Sequence, residues 1–199
     1  MYPAIFLLPR PATSSRLLLI FRPLLTFPHF FWSILFGIFA GIIQFFSFWS
    51  IVFSGSHPKG LWTILENYFR YSTVLQAWST YLTDKYPPFS GNTETKHPVG
   101  VRVEYPGRMS RATVFFRSLV LLPHYFFAIG YAFVFLFVQF LTWWTILFLG
   151  RMSEWQFDQI SAFFIYGSRL NAYMLYLVDE YPPFNGAQPR AADENFLQA

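Results

Sequence analysis

The chain carries the same sequence pattern twice. Residues 16–91 overlay residues 111–186 without a gap, at a constant offset of 95, and 26 of the 76 aligned pairs are identical. Chance pairing in so biased a composition gives roughly a tenth, so the match marks a duplicated structural unit. The identities cluster. Arg16, Phe21, Arg22, Leu24, Pro28 and His29 match Arg111, Phe116, Arg117, Leu119, Pro123 and His124. Gln44, Phe45, Trp49 and Gly55 match Gln139, Phe140, Trp144 and Gly150. Tyr81-Leu82-x-Asp84-x-Tyr86-Pro87-Pro88-Phe89-x-Gly91 matches Tyr176-Leu177-x-Asp179-x-Tyr181-Pro182-Pro183-Phe184-x-Gly186. The duplication divides the chain into an N-terminal segment (1–15), a first repeat (16–91), a polar linker (92–110), a second repeat (111–186) and a flexible tail (187–199).

Both repeats follow one plan. A basic amphipathic entry (16–27; 111–122) ends at Pro28 or Pro123, and an uncharged apolar run follows (30–53; 125–149). Each run is long enough, at about 1.5 Å per residue, to cross a hydrocarbon core of roughly 30 Å. Gly55 and Gly150 then mark helix ends. Composition agrees: 54% of residues are hydrophobic and only 12% charged, against about 25% charged in soluble domains. A water-soluble monomer is excluded for want of a charged skin, and disorder is excluded by the apolar content. With no cysteine, no disulfide framework or thiolate site exists. The apolar run Ile5–Leu8 is too short for a signal-peptide core, which leaves targeting to the first span.

The segments 61–82 and 156–178 are long enough to cross but more polar, holding Glu66 and Arg70 in the first and Asp158 and Arg169 in the second. They read as return spans with a polar face turned to protein; the alternative is that they lie in the membrane interface. The expected fold is therefore an all-α integral membrane protein of two tandem helical hairpins, about four transmembrane or membrane-embedded helices. A short extended arm in the linker is expected where Val99, Val101 and Val103 alternate with polar residues. Two hairpins place the termini and linker on one side. That side carries Arg10, Arg16, Arg22, Lys85, Lys96, Arg102, Arg108, Arg111 and Arg117, against Lys59 and Arg151 in the opposite loops, which makes it cytoplasmic. An even number of spans per repeat makes the two repeats parallel.

The repeated motifs carry what chemistry the chain has. Pro-Pro cannot continue a helix, so Tyr86-Pro87-Pro88-Phe89 and Tyr181-Pro182-Pro183-Phe184 read as the helix stop and membrane exit. Asp84 and Asp179 fall near a helix C-terminus, where the dipole disfavours negative charge. Each needs a partner, and Arg22 and Arg117 lie on the expected side. The element reads as a structural or docking motif more readily than as a substrate carboxylate. His29 and His124, at matching depth, are candidate cofactor ligands, set against a plain helix-entry role. Glu66 and Arg70 are spaced i,i+4 and suit an intrahelical pair; Arg169 has no obvious local partner. Gly37-x-x-x-Gly41 permits close helix approach, but repeat 2 has Ala132 and Leu136 there. No nucleotide loop, HExxH or nucleophile–base set is present in the sequence.

The tandem pattern Arg-x5-Arg-x5-Pro-His, a span, Gly, and Tyr-Leu-x-Asp-x-Tyr-Pro-Pro-Phe resembles a prokaryotic membrane family, domain-of-unknown-function family 4389. The linker stretch Val101 to Arg111 resembles that family's approach to a repeat, and no such Val-rich arm precedes the first repeat. The resemblance implies fold and a prokaryotic membrane location, not a reaction. The expectation is a non-catalytic protein of the bacterial inner membrane, not an enzyme, acting as an accessory subunit of a larger complex. The alternatives are a binding module for a pigment, quinone or lipid, and a transporter or channel. No cofactor is required by the sequence. The expected partners are membrane lipid and other membrane protein subunits, with no nucleic acid.

Overall fold

Ser15 opens the first long helix by accepting a hydrogen bond from Leu18 N–H, the ordinary N-cap arrangement. The computed structural model describes residues 2–91 and 97–186; the tail 187–199, expected to be flexible, and linker residues 92–96 lie outside the described residues. The elements in chain order are β1 (Ala4–Leu7), α1 (Arg16–Ser54), α2 (Lys59–Ser79), β2 (Gly100–Val103), α3 (Arg111–Phe115), α4 (Arg117–Val120), α5 (Leu122–Leu149) and α6 (Glu154–Met174). Helix α1 runs unbroken for 39 residues through Pro23 and Pro28. Its counterpart in repeat 2 is divided into α3, α4 and α5, with Pro123 in the first turn of α5, where a missing N–H costs nothing. Both long helices end on a left-handed glycine, Gly55 (φ 72°) and Gly150 (φ 69°).

Only α1 and α5, among the described residues, are long and apolar enough to cross a membrane. The sequence predicts about four transmembrane or membrane-embedded helices, and four spans are not seen among the described residues. The two others, α2 and α6, are 21 residues each and form an inner layer whose polar side chains are largely turned into the protein. Helix α2 packs on α1, α6 on α5, and α2 on α6; β2 lies on α2 and β1 on α6. The order through the molecule is sheet, then α2 and α6, then α1 and α5.

The linker arm is a strand, and it has a partner that the sequence hid. β1 pairs antiparallel with β2 in the register Ala4↔Val103, Ile5↔Arg102, Phe6↔Val101 and Leu7↔Gly100. Phe6 and Val101 are themselves 95 residues apart, so the pairing is centred on equivalent positions. The first repeat thus does have an arm. It lacks the alternation of the second because Ala4, Ile5 and Phe6 are all buried, and a strand covered on both faces reads as a continuous apolar run. Phe6 sits edge-on to Phe69 and Phe164, at 6.4 and 6.1 Å between ring centres. Those two phenylalanines are again repeat equivalents.

The same twofold relation governs the helix ends. Ser14 N–H donates to the Gly150 carbonyl (2.9 Å), and Met109 N–H donates to the Gly55 carbonyl (3.0 Å). Arg16 lies against Gly150, and Arg111 against Gly55. Such reciprocal contacts are those of an isologous interface. They fix α1 antiparallel to α3–α5: the start of each long helix meets the end of the other. This corrects the parallel arrangement expected from counting spans, which assumed that α2 and α6 also cross. Asp84 lies at the end marked by Arg16, and Met109 lies at the end marked by Gly55.

Candidate functional site

Pro28-His29 and Tyr86-Pro87-Pro88-Phe89 lie almost 60 residues apart in the chain and form one cluster in space. The His29 imidazole, fully buried, stacks on Phe89 at 4.1 Å and 9° and contacts Tyr86 at 5.0 Å. Its Nδ1 is 3.1 Å from the Tyr71 hydroxyl, and its buried Nε2 has no hydrogen-bond partner among the described residues. The proline ring disturbs the helical turn before it, and the Tyr86 hydroxyl donates to the Leu25 carbonyl of that turn at 3.2 Å. Repeat 2 reproduces each contact: His124 stacks on Phe184 (3.9 Å, 11°), meets the Tyr166 hydroxyl at 3.0 Å, and Tyr181 donates to the Val120 carbonyl. A heme or pigment ligated by either histidine would have to displace the chain's own groups. Among the described residues, no cluster of three or more His, Asp or Glu side chains is arranged to hold a metal ion.

Each repeat also pairs a buried arginine with a half-buried aspartate. Arg22 Nη2 is 2.7 Å from Asp84 Oδ1, and Arg117 Nη2 is 3.1 Å from Asp179 Oδ1. Each guanidinium also donates to a carbonyl at the end of the second helix of its repeat, Trp78 or Tyr173. It lies between two rings, Trp78 and Tyr81 in repeat 1, Tyr173 and Tyr176 in repeat 2. The other carboxylate oxygen accepts from the backbone N–H of Ser15 (2.7 Å) or Ser110 (2.9 Å). Asp84 therefore leaves the negative end of α2 and sits at the positive end of α1, where a carboxylate is stabilised.

The helix stop is not the proline pair. Helix α2 ends at Ser79, and α6 at Met174. Tyr81 (φ 67°) and Tyr176 (φ 58°) adopt the left-handed conformation, and Leu82 N–H and Leu177 N–H close six-residue turns onto Ala77 and Ala172. This is a Schellman stop with tyrosine where glycine is usual. The strain at a bulky residue is offset by its ring lying over the arginine. The Pro-Pro segments then run extended back along the long helices.

The other charged residues singled out from the sequence make different contacts. Glu66 and Arg70 pair along α2, with Nη2 to Oε1 at 2.5 Å. Arg169 Nη1 donates to the Asn185 carbonyl, and its guanidinium faces the Tyr2 ring at 5.3 Å. Of the Gly37-x-x-x-Gly41 pair, Gly37 faces Tyr68 and Gly41 faces open space. His57 is buried between the repeats, with Nδ1–H donating to the Tyr176 carbonyl and Nε2 accepting from Ser47, both at 3.0 Å. Burial lowers its pKa to about 4. The unfolded chain binds this proton below about pH 6.5 and the folded chain does not, so stability falls as pH drops from 6.5 towards 4. His57→Gln is expected to flatten that window by about 3 kcal/mol at pH 4, read as the pH dependence of the thermal midpoint in detergent.

Tyr71, Tyr166, Phe69 and Phe164 were not singled out from the sequence, although they are among the aligned identities. The signal for the tyrosines was the constant spacing of 42 between His and Tyr in both repeats.

A duplicated helical unit, two helices fit to cross a membrane and a twice-built Arg–Asp and His–aromatic seat define a tandem-repeat membrane protein. Its family follows from the profile of DUF4389, a domain of unknown function, which matches residues 16–91 and 111–185. The chain belongs to that family and contains two copies of its domain. No curated protein and no solved structure matches it significantly.

Proposed function

We propose that this protein is a non-catalytic component of the bacterial inner membrane, an accessory subunit that packs against other membrane proteins through its apolar helices, with termini and linker facing the cytoplasm. One observation carries this reading. Nearly all the large exposed apolar residues lie within 16–54 and 111–149, the exceptions being Tyr86, Phe89, Tyr105, Trp155, Tyr181 and Phe184. An apolar surface of that extent is an interaction surface. The polar side chains of the repeated motifs meanwhile pair with one another, which suits structure better than chemistry. The basic residues near the helix entries and in the linker favour the cytoplasmic side.

The test is purification of the natively expressed chain in mild detergent, followed by light scattering and mass spectrometry. The expected particle contains a second membrane protein in fixed stoichiometry, and exposed-face substitutions such as Phe133→Ser release it. A monodisperse monomer with no companion overturns the proposal.

A further inference from the structure

We infer that α1 and α3–α5 lie side by side in the plane of a single bilayer leaflet and do not cross the membrane. This rests on the reading that the protein is membrane-embedded; it assigns the acyl chains of one leaflet as the surroundings of the long apolar face wherever a companion subunit does not cover it.

Length is the first argument. Exposed apolar residues on α1 run from Leu17 to Phe53, about 54 Å of helix at 1.5 Å per residue. In repeat 2 they run from Phe115 to Leu149, about 51 Å if helical throughout. Between those limits the charges on the long helices are Arg22 and Arg117, and both are buried in ion pairs. A hydrocarbon core of about 30 Å accommodates 54 Å of apolar helix only at a tilt near 55°, outside the usual range of about 0–40°. A helix lying in the plane has no such mismatch.

The linker gives the second argument. Because α1 and α3–α5 are antiparallel, residues 80–110 connect opposite ends of the long helices. In a crossing orientation the chain between those ends would have to pass the bilayer, and its described part carries exposed Glu104 and Arg108. Lipid-exposed irregular backbone does not occur within hydrocarbon. The pseudo-twofold axis supplies the third. It passes between Phe6 and Val101 and is perpendicular to the antiparallel helices. If the helices crossed, the axis would lie in the membrane plane and the sheet would sit at mid-depth, with Arg102 beside it. If the helices lie flat, the axis is the membrane normal. The sheet then faces water, α2 and α6 form the middle layer, and the apolar helices face the acyl chains. Arg16 and Arg111, at opposite ends of the pair, reach phosphate level together.

The native chain has no cysteine, so single-cysteine variants report sidedness cleanly. Thr13→Cys and Arg151→Cys mark one end of the helix pair, and Lys59→Cys and Arg108→Cys mark the other; all four positions are exposed. Intact cells and inverted vesicles are treated with a membrane-impermeant maleimide, and alkaline carbonate extraction is run in parallel. The expected result is retention in the membrane, with all four positions labelled from the same side and protected from the other. Labelling of the two pairs from opposite sides overturns the in-plane arrangement while leaving membrane embedding intact. Release by carbonate overturns the membrane reading itself, an outcome the labelling pattern does not mimic.

Discussion

Asp84→Ala is expected to destabilise the protein by about 3–5 kcal/mol, the range for leaving a buried charge unpaired, and Arg22→Met by clearly less. The asymmetry follows from exposure. The Arg22 side chain is 6% exposed and the Asp84 side chain 28%. Removing the carboxylate strands a guanidinium beneath Trp78 and Tyr81, whereas removing the guanidinium leaves a carboxylate that water reaches. Asp84→Ala also frees the Ser15 N–H at the start of α1, adding the loss of a charge-assisted cap. Methionine retains much of the arginine stem's packing. Asp179→Ala and Arg117→Met repeat the comparison, since their exposures are 30% and 3%. Denaturant unfolding in detergent, followed by tryptophan fluorescence, reads all four. Equal costs for the acid and the base in each pair would mean that coulombic attraction alone, not desolvation of the arginine, sets the balance.

What could be read from the sequence depended on whether a feature was local or reciprocal. The long helices were legible because uncharged runs such as 30–53 leave few alternatives. The need of Asp84 for a cation was legible because a carboxylate close after a helix is badly placed; Arg22 lies 2.7 Å away. The N-cap role of Asp84 was not legible, since the Ser15 N–H it meets is 69 residues distant. The left-handed Tyr81 was hidden because Gly is the usual signal for that conformation, and Pro87-Pro88 nearby offered a more obvious stop. β1 was hidden because burial on both faces removes alternation, so Ile5–Leu8 looked like a stub of apolar chain. The antiparallel relation of the repeats rests on contacts such as Ser14 with Gly150, which join residues no local pattern connects. Parity of span counting fails once two of the four helices no longer need to cross.

Gly91→Ala and Gly186→Ala are expected to have the largest effects of any glycine-to-alanine change among the described residues. A Cβ at Gly91 would lie 1.9 Å from the Asn67 carbonyl oxygen and 2.5 Å from its carbon. At Gly186 the corresponding distances to Ala162 are 1.8 and 2.4 Å. Both obstacles are helix backbone, which cannot rotate aside as a side chain does. Relief requires the segment to lift off α2 or α6 by more than an ångström. Phe89 and Phe184 are two residues upstream in those segments, so lifting either unseats the ring stacked on its histidine. Overpacking of a side-chain core costs about 1–3 kcal/mol; a clash with immovable backbone is expected to exceed about 4 kcal/mol, among the exceptional single substitutions. Gly41→Ala is the control. Its Cβ would meet nothing within 4 Å, and exchanging glycine for alanine inside a helix gains up to about 1 kcal/mol. Both residues are glycines shared by no simple rule of helix spacing, and only the one that touches backbone is expected to matter. Thermal midpoints of the two variants in the same detergent should therefore move in opposite directions. Retention of the native midpoint by Gly91→Ala would mean that the exit segment does not seat on α2 and does not hold the Phe89 ring on His29.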